Sequence, residues 1–491
     1  MYWETLAVVS MLNYRIIFFF LGILITGIGA LMIIPILLEY FSSSANLITF
    51  VGSSFFTLFI GITLVLAFKE KEKKFNFKDT ILITTLSWPI LVLFSSLPFY
   101  YGINSSTFSS AIFEATSGLT TTGASVYQNV EALSKGILIW RSILQWIGGI
   151  GIIIFAIAII PIFNIGGIKL FTQDWSEKPE GLHYRSTELA KLLGGIYFIF
   201  TFTIFLLLLL SGLSFFDAIC HSMTTVATGG FSTQNNSIGN YNNFFTELVI
   251  VLGMLLASLP FTLYISCLRK NYSILNDNQV LLFLFLIVFF VLSLSVWIYL
   301  KDNLDIITAM RLSLFNGVSI MTGTGYSTTN FSNWGSFSNT IFLTIMLIGG
   351  CSGSTTGGLK VFRLQIIYQM ILKELKMINS PRSITSINYN NKNINQEIVN
   401  SVMIIIFCFL ISIFIITSIF SYHGYDFITS ISAAVTSVAV VGPGLGNIIG
   451  PAENFNQLND SLKLTLAAGM IMGRLEFLAF LILLVPKFWI K

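Results

Sequence analysis

Charge is what this sequence has least of. Asp, Glu, Lys and Arg together make up 10% of its 491 residues, against 55% hydrophobic residues. A chain so poor in charge cannot coat a soluble globule of that size, so most of it belongs in lipid. Its four cysteines, Cys220, Cys267, Cys351 and Cys408, include no CxxC spacing, and its three histidines, His183, His221 and His423, stand far apart. They point to neither a disulfide framework nor a metal centre. HExxH and GxSxG strings are absent, as are paired aspartates in facing spans, which leaves an intramembrane hydrolase without its reacting groups. Intramembrane acids are few beyond Glu114 and Glu476, so a protonatable relay for strict proton coupling is hard to build.

What is present in quantity is apolar run. A membrane span needs about 20 predominantly apolar residues, and ten segments qualify: roughly 15–38, 48–68, 79–101, 137–164, 187–213, 244–268, 278–300, 337–372, 398–421 and 461–486. The first run has no small-residue cleavage site and reads as a retained helix rather than a removed signal peptide. In a ten-span threading, 20 of the 26 basic residues fall on one side. They include Lys69–Lys78, the 165–192 loop and the stretch from Lys360 to Lys392. By the positive-inside rule that side is cytoplasmic, with both termini inside. The net charge of +4 therefore reports topology and gives no ground for nucleic-acid binding.

Between these spans one theme recurs four times. SGLTTTGAS ends at Ser125, TVATGGFST at Thr233, IMTGTGYST at Thr328 and VAVVGPGLG at Gly446. With Gly123, Gly230, Gly325 and Gly442 taken as equivalent, the intervals are 107, 95 and 117 residues, about the size of a membrane hairpin. Each string follows a stretch too short to cross, at about 109–119, 216–226, 308–321 and 427–439, which reads as a re-entrant half-helix. The fold class expected is all-α and polytopic, with about ten spans and four re-entrant pore helices. An N-terminal hairpin over 1–78 precedes four pseudo-symmetric modules at 79–172, 173–272, 273–392 and 393–491.

A dehydrated cation needs several oxygen ligands at once, and rings of backbone carbonyls around an axis supply them. Glycine belongs where the turn is tightest, because it adopts backbone angles that a Cβ resists. Aligned on that glycine, the layers read Thr120, Ala227, Thr322 and Ala439; Thr121, Thr228, Gly323 and Val440; Thr122, Gly229, Thr324 and Val441; and Gly123, Gly230, Gly325 and Gly442. Alanine and valine cannot add hydroxyl ligands, so binding should rest on carbonyls. Each half-helix should aim its C-terminal partial negative charge toward the cavity below the filter, favouring a cation. Glu114, His221 and Asn316 lie on these half-helices, either to hold the filter or as satisfied buried polar groups.

Two features suggest a gate. Within 337–372 the helical pattern is broken by Gly349, Gly350, Cys351, Ser352, Gly353, Ser354, Thr355, Thr356, Gly357 and Gly358. At about 1 kcal/mol per glycine against alanine, that stretch should be a mobile intramembrane loop able to occlude the pore. A phosphate-loop reading fails because Leu359 follows Gly358 where that motif needs Lys. Arg474 lies ten or more residues into the last span, at a cost of about 2.5–3.5 kcal/mol on insertion scales, and something must compensate it.

These four strings, with GGCSGSTTGGLK in the third module and MGRLEF in the last span, resemble the membrane subunits of the Trk/Ktr/HKT superfamily of potassium transporters. The N-terminal hairpin makes the Trk type, TrkH, the nearest. The resemblance covers the chain from about Arg15 to its end. It implies a pseudo-fourfold pore, a homodimer in the cytoplasmic (inner) membrane and a cytosolic ring of nucleotide-binding regulatory subunits of the TrkA type. It also implies that Arg474 sits at the pore beside the loop carrying Gly350, Gly353, Ser354, Thr355, Gly357 and Gly358. In that superfamily a serine at the first filter glycine accompanies sodium transport, and Gly123 therefore favours potassium. The expected function is gated potassium uptake with K+ as cargo, no cofactor bound by this chain and no enzymatic activity. The alternatives are a sodium or mixed-cation pathway and a proton-coupled symporter. The fourth string, with no threonine and with Pro443 after its glycine, implies looser discrimination against sodium than in a potassium channel.

Overall fold

The structure is a computed structural model that describes residues 12–69, 76–158, 186–270, 277–302, 304–381, 386–390 and 392–489. Much of the basic loop expected at 165–192 lies outside these residues, as do Lys71, Lys73, Lys74, Arg382, Lys491 and the end of the span expected at 137–164. Along the chain run α1 (Tyr14–Leu31), α2 (Ile33–Phe41), α3 (Leu47–Ala67), α4 (Phe77–Gly102), α5 (Phe108–Leu119), α6 (Lys135–Ala158), α7 (Ser186–Leu210), α8 (Phe215–Val226) and α9 (Phe244–Ser258). There follow α10 (Phe261–Leu268), α11 (Asn278–Asp302), α12 (Ile306–Met321), α13 (Ser336–Ile348), α14 (Val361–Asn379), α15 (Gln396–Tyr422), α16 (Phe427–Ala439), α17 (Asp460–Arg474) and α18 (Leu478–Leu484). A small antiparallel hairpin, β1 (Asn388–Tyr389) and β2 (Lys392–Asn393), interrupts the helices.

Contacts divide the chain into two compact units. One comprises Met1–Ala115, Leu133–Trp140 and Leu475–Lys491; the other comprises Thr116–Ala132 and Arg141–Arg474. In the first unit, Gly22 and Gly29 of α1 pack directly against Leu64 and Leu58 of α3, the close approach that small residues permit between helices in lipid. Asn76 and Asp79 form a capping box at the start of α4, and Asp79 also accepts from the Asn13 N–H at 3.0 Å. In the second unit, Glu247 of α9 accepts two bonds of 2.7 Å from Arg311 of α12. This forked pair is mostly buried on the Glu247 side, and Glu247→Ala is expected to cost about 1–2 kcal/mol. A lowered unfolding midpoint of the purified protein in detergent is the measurement.

Polarity is distributed as lipid demands. On α7, Phe198, Ile199 and Phe202 are exposed, and on α15 Phe407 and Phe414 are, while Thr201 and Ser412 on the same helices are buried. Among the described residues six helices are long and apolar enough to cross a membrane: Tyr14–Phe41, Leu47–Ala67, Lys78–Gly102, Glu188–Leu210, Asn278–Asp302 and Gln396–Tyr422. The segment read from sequence as one span over 244–268 is instead two helices, α9 and α10, bent by 88°. The cause is Pro260, which has no N–H to continue the ladder. The groups freed by the break are taken up by the glycine-rich loop: Phe261 N–H donates to Gly353 O at 3.0 Å and Cys351 N–H to Ser258 O at 3.2 Å.

Four short helices, α5, α8, α12 and α16, each start at a side-chain cap and end two or three residues into a Gly/Thr string. Thr107 accepts from Ser110 N–H, Ser214 from Asp217 N–H, Asp305 from Thr308 N–H and Asp426 from Thr429 N–H, at 3.0–3.2 Å. Such caps satisfy N–H groups that the first helical turn leaves orphaned. The helix that follows each string packs back on it. A Cβ on Gly148 of α6 would run into the Leu119 carbonyl, and one on Gly473 of α17 into the Val438 carbonyl. Leu119 and Val438 hold the same position in the first and fourth strings.

Candidate ion-conducting site

Each string opens with the same helix-ending turn. Thr121 N–H donates to Gly118 O and Thr122 N–H to Ser117 O; Thr228 N–H donates to Thr225 O and Gly229 N–H to Thr224 O. In the third, Gly323 N–H donates to Ile320 O and Thr324 N–H to Ser319 O, and in the fourth Val441 N–H donates to Thr436 O. These bonds, at 2.8–3.0 Å, are the pattern of a Schellman cap, whose outer residue is left-handed and usually glycine. Here that residue is Thr121, Thr228, Gly323 or Val440, with φ of 59°, 49°, 71° and 59°.

This position departs from the sequence reading, which put the tightest point at the fourth-layer glycine. Three of the four left-handed caps are β-branched, at about 1–3 kcal/mol each, and their surroundings must impose the angle. A second left-handed residue follows two positions on at Gly123, Gly230 and Gly325, with φ of 85°, 81° and 83°. Alternating hands of this kind turn successive N–H groups to one side and the carbonyls to the other. Gly442 stays outside the left-handed region, and the residue it precedes is Pro443, whose ring restricts its neighbour's backbone.

The four strings meet in chain order around a closed circuit. A Cβ placed on Gly123 would strike the Gly229 carbonyl, one on Gly230 the Thr324 carbonyl, and one on Gly325 the Gly442 N and Pro443; one on Gly442 would lie 3.1 Å from the Thr122 carbonyl. On one side the fourth-layer glycines line a polar cavity of about 150 Å³, together with Arg141 and Glu453. On the other side lies the glycine-rich loop. Thr228 Oγ1 donates to Thr355 Oγ1 at 3.0 Å, and a Cβ on Gly357 would run into the Ala439 carbonyl.

The loop is buried in this structure, with Cys351, Ser354, Thr355 and Thr356 all at most 2% exposed. Thr355 Oγ1 donates to Ala257 O at 3.1 Å, and Ser352 N–H donates to Gln279 Oε1 at 3.1 Å. Arg474, 3% exposed, donates from Nη1 to the Thr355 carbonyl at 2.8 Å and from Nη2 to the Gly148 carbonyl at 3.3 Å. Backbone carbonyls of the loop and of α6 thus accept from a guanidinium whose depth called for compensation and which the family resemblance set beside this loop. Gly350, Gly353 and Gly358 shape the loop, the last two at φ of 80° and 79°.

Outside the ring, each of the last three short helices holds the segment that leaves its turn. His221 Nε2 and Ser232 Oγ lie 2.9 Å apart, Asn316 Nδ2 donates to Thr328 Oγ1 at 2.8 Å, and Ser432 Oγ accepts from Leu445 N–H at 3.0 Å. His221 and Asn316 therefore brace the exit of the turn rather than the ring itself; Glu114 is fully buried. Two residues of α6 that sequence reading passed over reach the second string. Arg141 donates to Ser232 O at 2.9 Å and lies 4.0 Å over the Phe231 ring, and Gln145 bonds Gly229 and Phe231. Their signal was there: two polar residues four apart share one helix face in an otherwise apolar run. Beyond the spans, Asp277 accepts from Tyr389 Oη at 2.7 Å and Asn390 Nδ2 at 3.1 Å, and burial beside that carboxylate pushes the Tyr389 phenol above its ordinary pKa.

With this geometry in place, comparison with known proteins is specific. Residues 47–490 match the TrkH family, described as cation transport protein. The chain is 40% identical over 412 residues to the Trk system potassium uptake protein TrkI of Halomonas elongata, with 83% of each chain covered. It is 33% identical over 493 residues to the Trk system potassium uptake protein TrkH of Vibrio parahaemolyticus, covering 97% of this chain and 100% of that one. The crystal structure of the potassium transporter TrkH from Vibrio parahaemolyticus matches with a TM-score of 0.89 at 32% identity, over 97% of this chain and 100% of that one. Carrying several apolar spans and these relatives, the chain is a multi-pass membrane protein and belongs to the TrkH family of cation transport proteins.

Proposed function

We propose that this chain is the pore-forming subunit of a Trk-type potassium uptake system, passing K+ inward through a filter of backbone carbonyls. It is a transporter and not an enzyme, as its relatives are. The observation that carries the filter is the closed circuit of four strings, each glycine backed by a carbonyl or amide of the next. Carbonyls of the layers at Thr120–Gly123, Ala227–Gly230, Thr322–Gly325 and Ala439–Gly442 replace the ion's water. The short helices α5, α8, α12 and α16 act as re-entrant pore helices whose C-terminal ends add about half a negative charge each.

In this reading the chain has ten spans arranged as an N-terminal hairpin, 1–78, and four modules, 79–172, 173–272, 273–392 and 393–491. Both termini face the cytoplasm, the protein sits in the inner membrane as a homodimer, and a nucleotide-binding subunit of the TrkA type docks on its cytosolic side. The loop at 349–358, held by Arg474, is the gate. Proteoliposomes loaded with the purified protein test the proposal through K+, Rb+ and Na+ fluxes. Saturable K+ and Rb+ uptake exceeding that of Na+ is expected, and equal leakage of all three, or none, overturns it. In the same assay Gly123→Ser should cut K+ flux sharply, because its Cβ meets the Gly229 carbonyl at a left-handed residue, and should lower the K+/Na+ ratio of the remaining flux by about tenfold, a displaced hydrogen-bonding group being worth about 1 kcal/mol or more.

A further inference from the structure

The four strings are not braced alike. In the first, Thr120 Oγ1 and Thr122 Oγ1 lie 2.7 Å apart, and in the third Thr322 Oγ1 and Thr324 Oγ1 lie 2.8 Å apart. These hydroxyl pairs clasp the first and third layers of their own turn. The second string has Ala227 and Gly229 at those positions and can make no such clasp. The fourth, with Ala439 and Val441, has none either.

The space that a side chain on Gly229 would fill is occupied. A Cβ there would collide with Cδ and Oε1 of Gln145, a fully buried residue of α6. Its amide engages the turn at two points: Nε2 donates to the Gly229 carbonyl at 2.6 Å, and Oε1 accepts from Phe231 N–H at 3.1 Å. Gly230 is bracketed between them. One face of the Gly229 carbonyl remains for an ion, because a carbonyl oxygen carries two lone pairs. That oxygen also lies where a Cβ on Gly123 would be, so its position sets the spacing between the first two strings.

We infer that Gln145 is a positioning residue of the filter, its side-chain amide standing in on the second string for the threonine clasp of the first and third. The inference rests on the pore reading above. Gln145 acts through the Gly229 carbonyl, and its loss lets that oxygen drift in a ring whose first and third strings stay clasped. Discrimination between ions of different size then falls, while the pathway stays open.

The test uses the full chain in proteoliposomes, with K+, Rb+ and Na+ fluxes measured for protein that runs as a single species on size exclusion. Gln145→Ala is expected to lower the K+/Na+ ratio on the order of tenfold with K+ flux largely kept. Adding Ala227→Thr and Gly229→Thr to Gln145→Ala rebuilds the clasp and should return the ratio toward wild type, whereas Gly229→Thr added to Gln145→Ala without Ala227→Thr refills the vacated space but makes no hydroxyl pair and should leave the ratio low. If the triple variant does not assemble, Gln145→Met decides, since it keeps the length and fills the space but has no group that can donate to Gly229. A ratio as low as that of Gln145→Ala supports the inference, and a wild-type ratio overturns it. A wild-type ratio in Gln145→Ala also overturns it, as does a triple variant that assembles with its ratio still low. Wild-type protein that passes no K+ at all instead brings down the pore reading.

Discussion

Gly230→Ala abolishes potassium uptake, with an expected fall of at least about 100-fold in Rb+ or K+ flux into proteoliposomes. Two effects act together. The backbone at Gly230 is left-handed, with φ of 81°, which costs an alanine about 1–2 kcal/mol. The new Cβ also lands on the Thr324 carbonyl of the next string, a backbone oxygen with no rotamer in which to retreat, so relief comes only by rotating that oxygen or opening the ring. Together these exceed about 3 kcal/mol, and each 1.36 kcal/mol on a barrier is tenfold in rate. Gly442→Ala is the internal control. Its φ is not left-handed and its Cβ would sit 3.1 Å from the Thr122 carbonyl, so the loss there should be smaller by an order of magnitude or so. Equal, undiminished flux in Gly230→Ala takes the second string out of the ion path.

The contrast between Gly230 and Gly442 marks the boundary of what sequence made legible. The limits of the four short helices could be read because each combines a polar cap, an apolar stretch too short to span and a Gly/Thr string, all local signals. The left-handed caps at Thr121, Thr228 and Val440 could not, since propensity argues against β-branched residues there. The break at Pro260 carried a local signal that the continuous hydropathy of 244–268 masked. The glycine density of 349–358 made the loop visible, but its anchors on Ala257, Gln279 and Arg474 are 73 or more residues away in sequence. Gln145 was only half legible: its spacing from Arg141 marks a polar helix face, but its partner, a Gly229 that lacks a side chain, adjoins it in three dimensions alone.

Arg474→Ala raises ion flux, and more so when part of 350–357 is deleted with it. The guanidinium holds the loop through the Thr355 carbonyl at 2.8 Å and is itself placed by the Gly148 carbonyl of α6, so it pins the loop against the inner face of the ring. In the proposed pathway it also puts a fixed positive charge in the way of an inward-moving cation, and in low dielectric that repulsion is poorly screened. A hydrogen bond from a charged donor is worth about 1.5–3 kcal/mol, enough to shift the fraction of open molecules by about tenfold or more. The single substitution leaves the loop tied by Cys351 to Ser258, by Ser352 to Gln279 and by Thr355 to Ala257, which is why its gain should be partial. Shortening 350–357 removes those ties as well, and the double variant should conduct K+ in proteoliposomes without any cytosolic partner. Arg474→Lys separates charge from geometry: a single ammonium cannot bridge two carbonyls as the planar fork does, so its flux should lie between those of wild type and Arg474→Ala. If the double variant, monodisperse and correctly inserted, conducts no faster than wild type, the loop is a structural plug for the bent helix pair at Pro260 and the gate lies elsewhere.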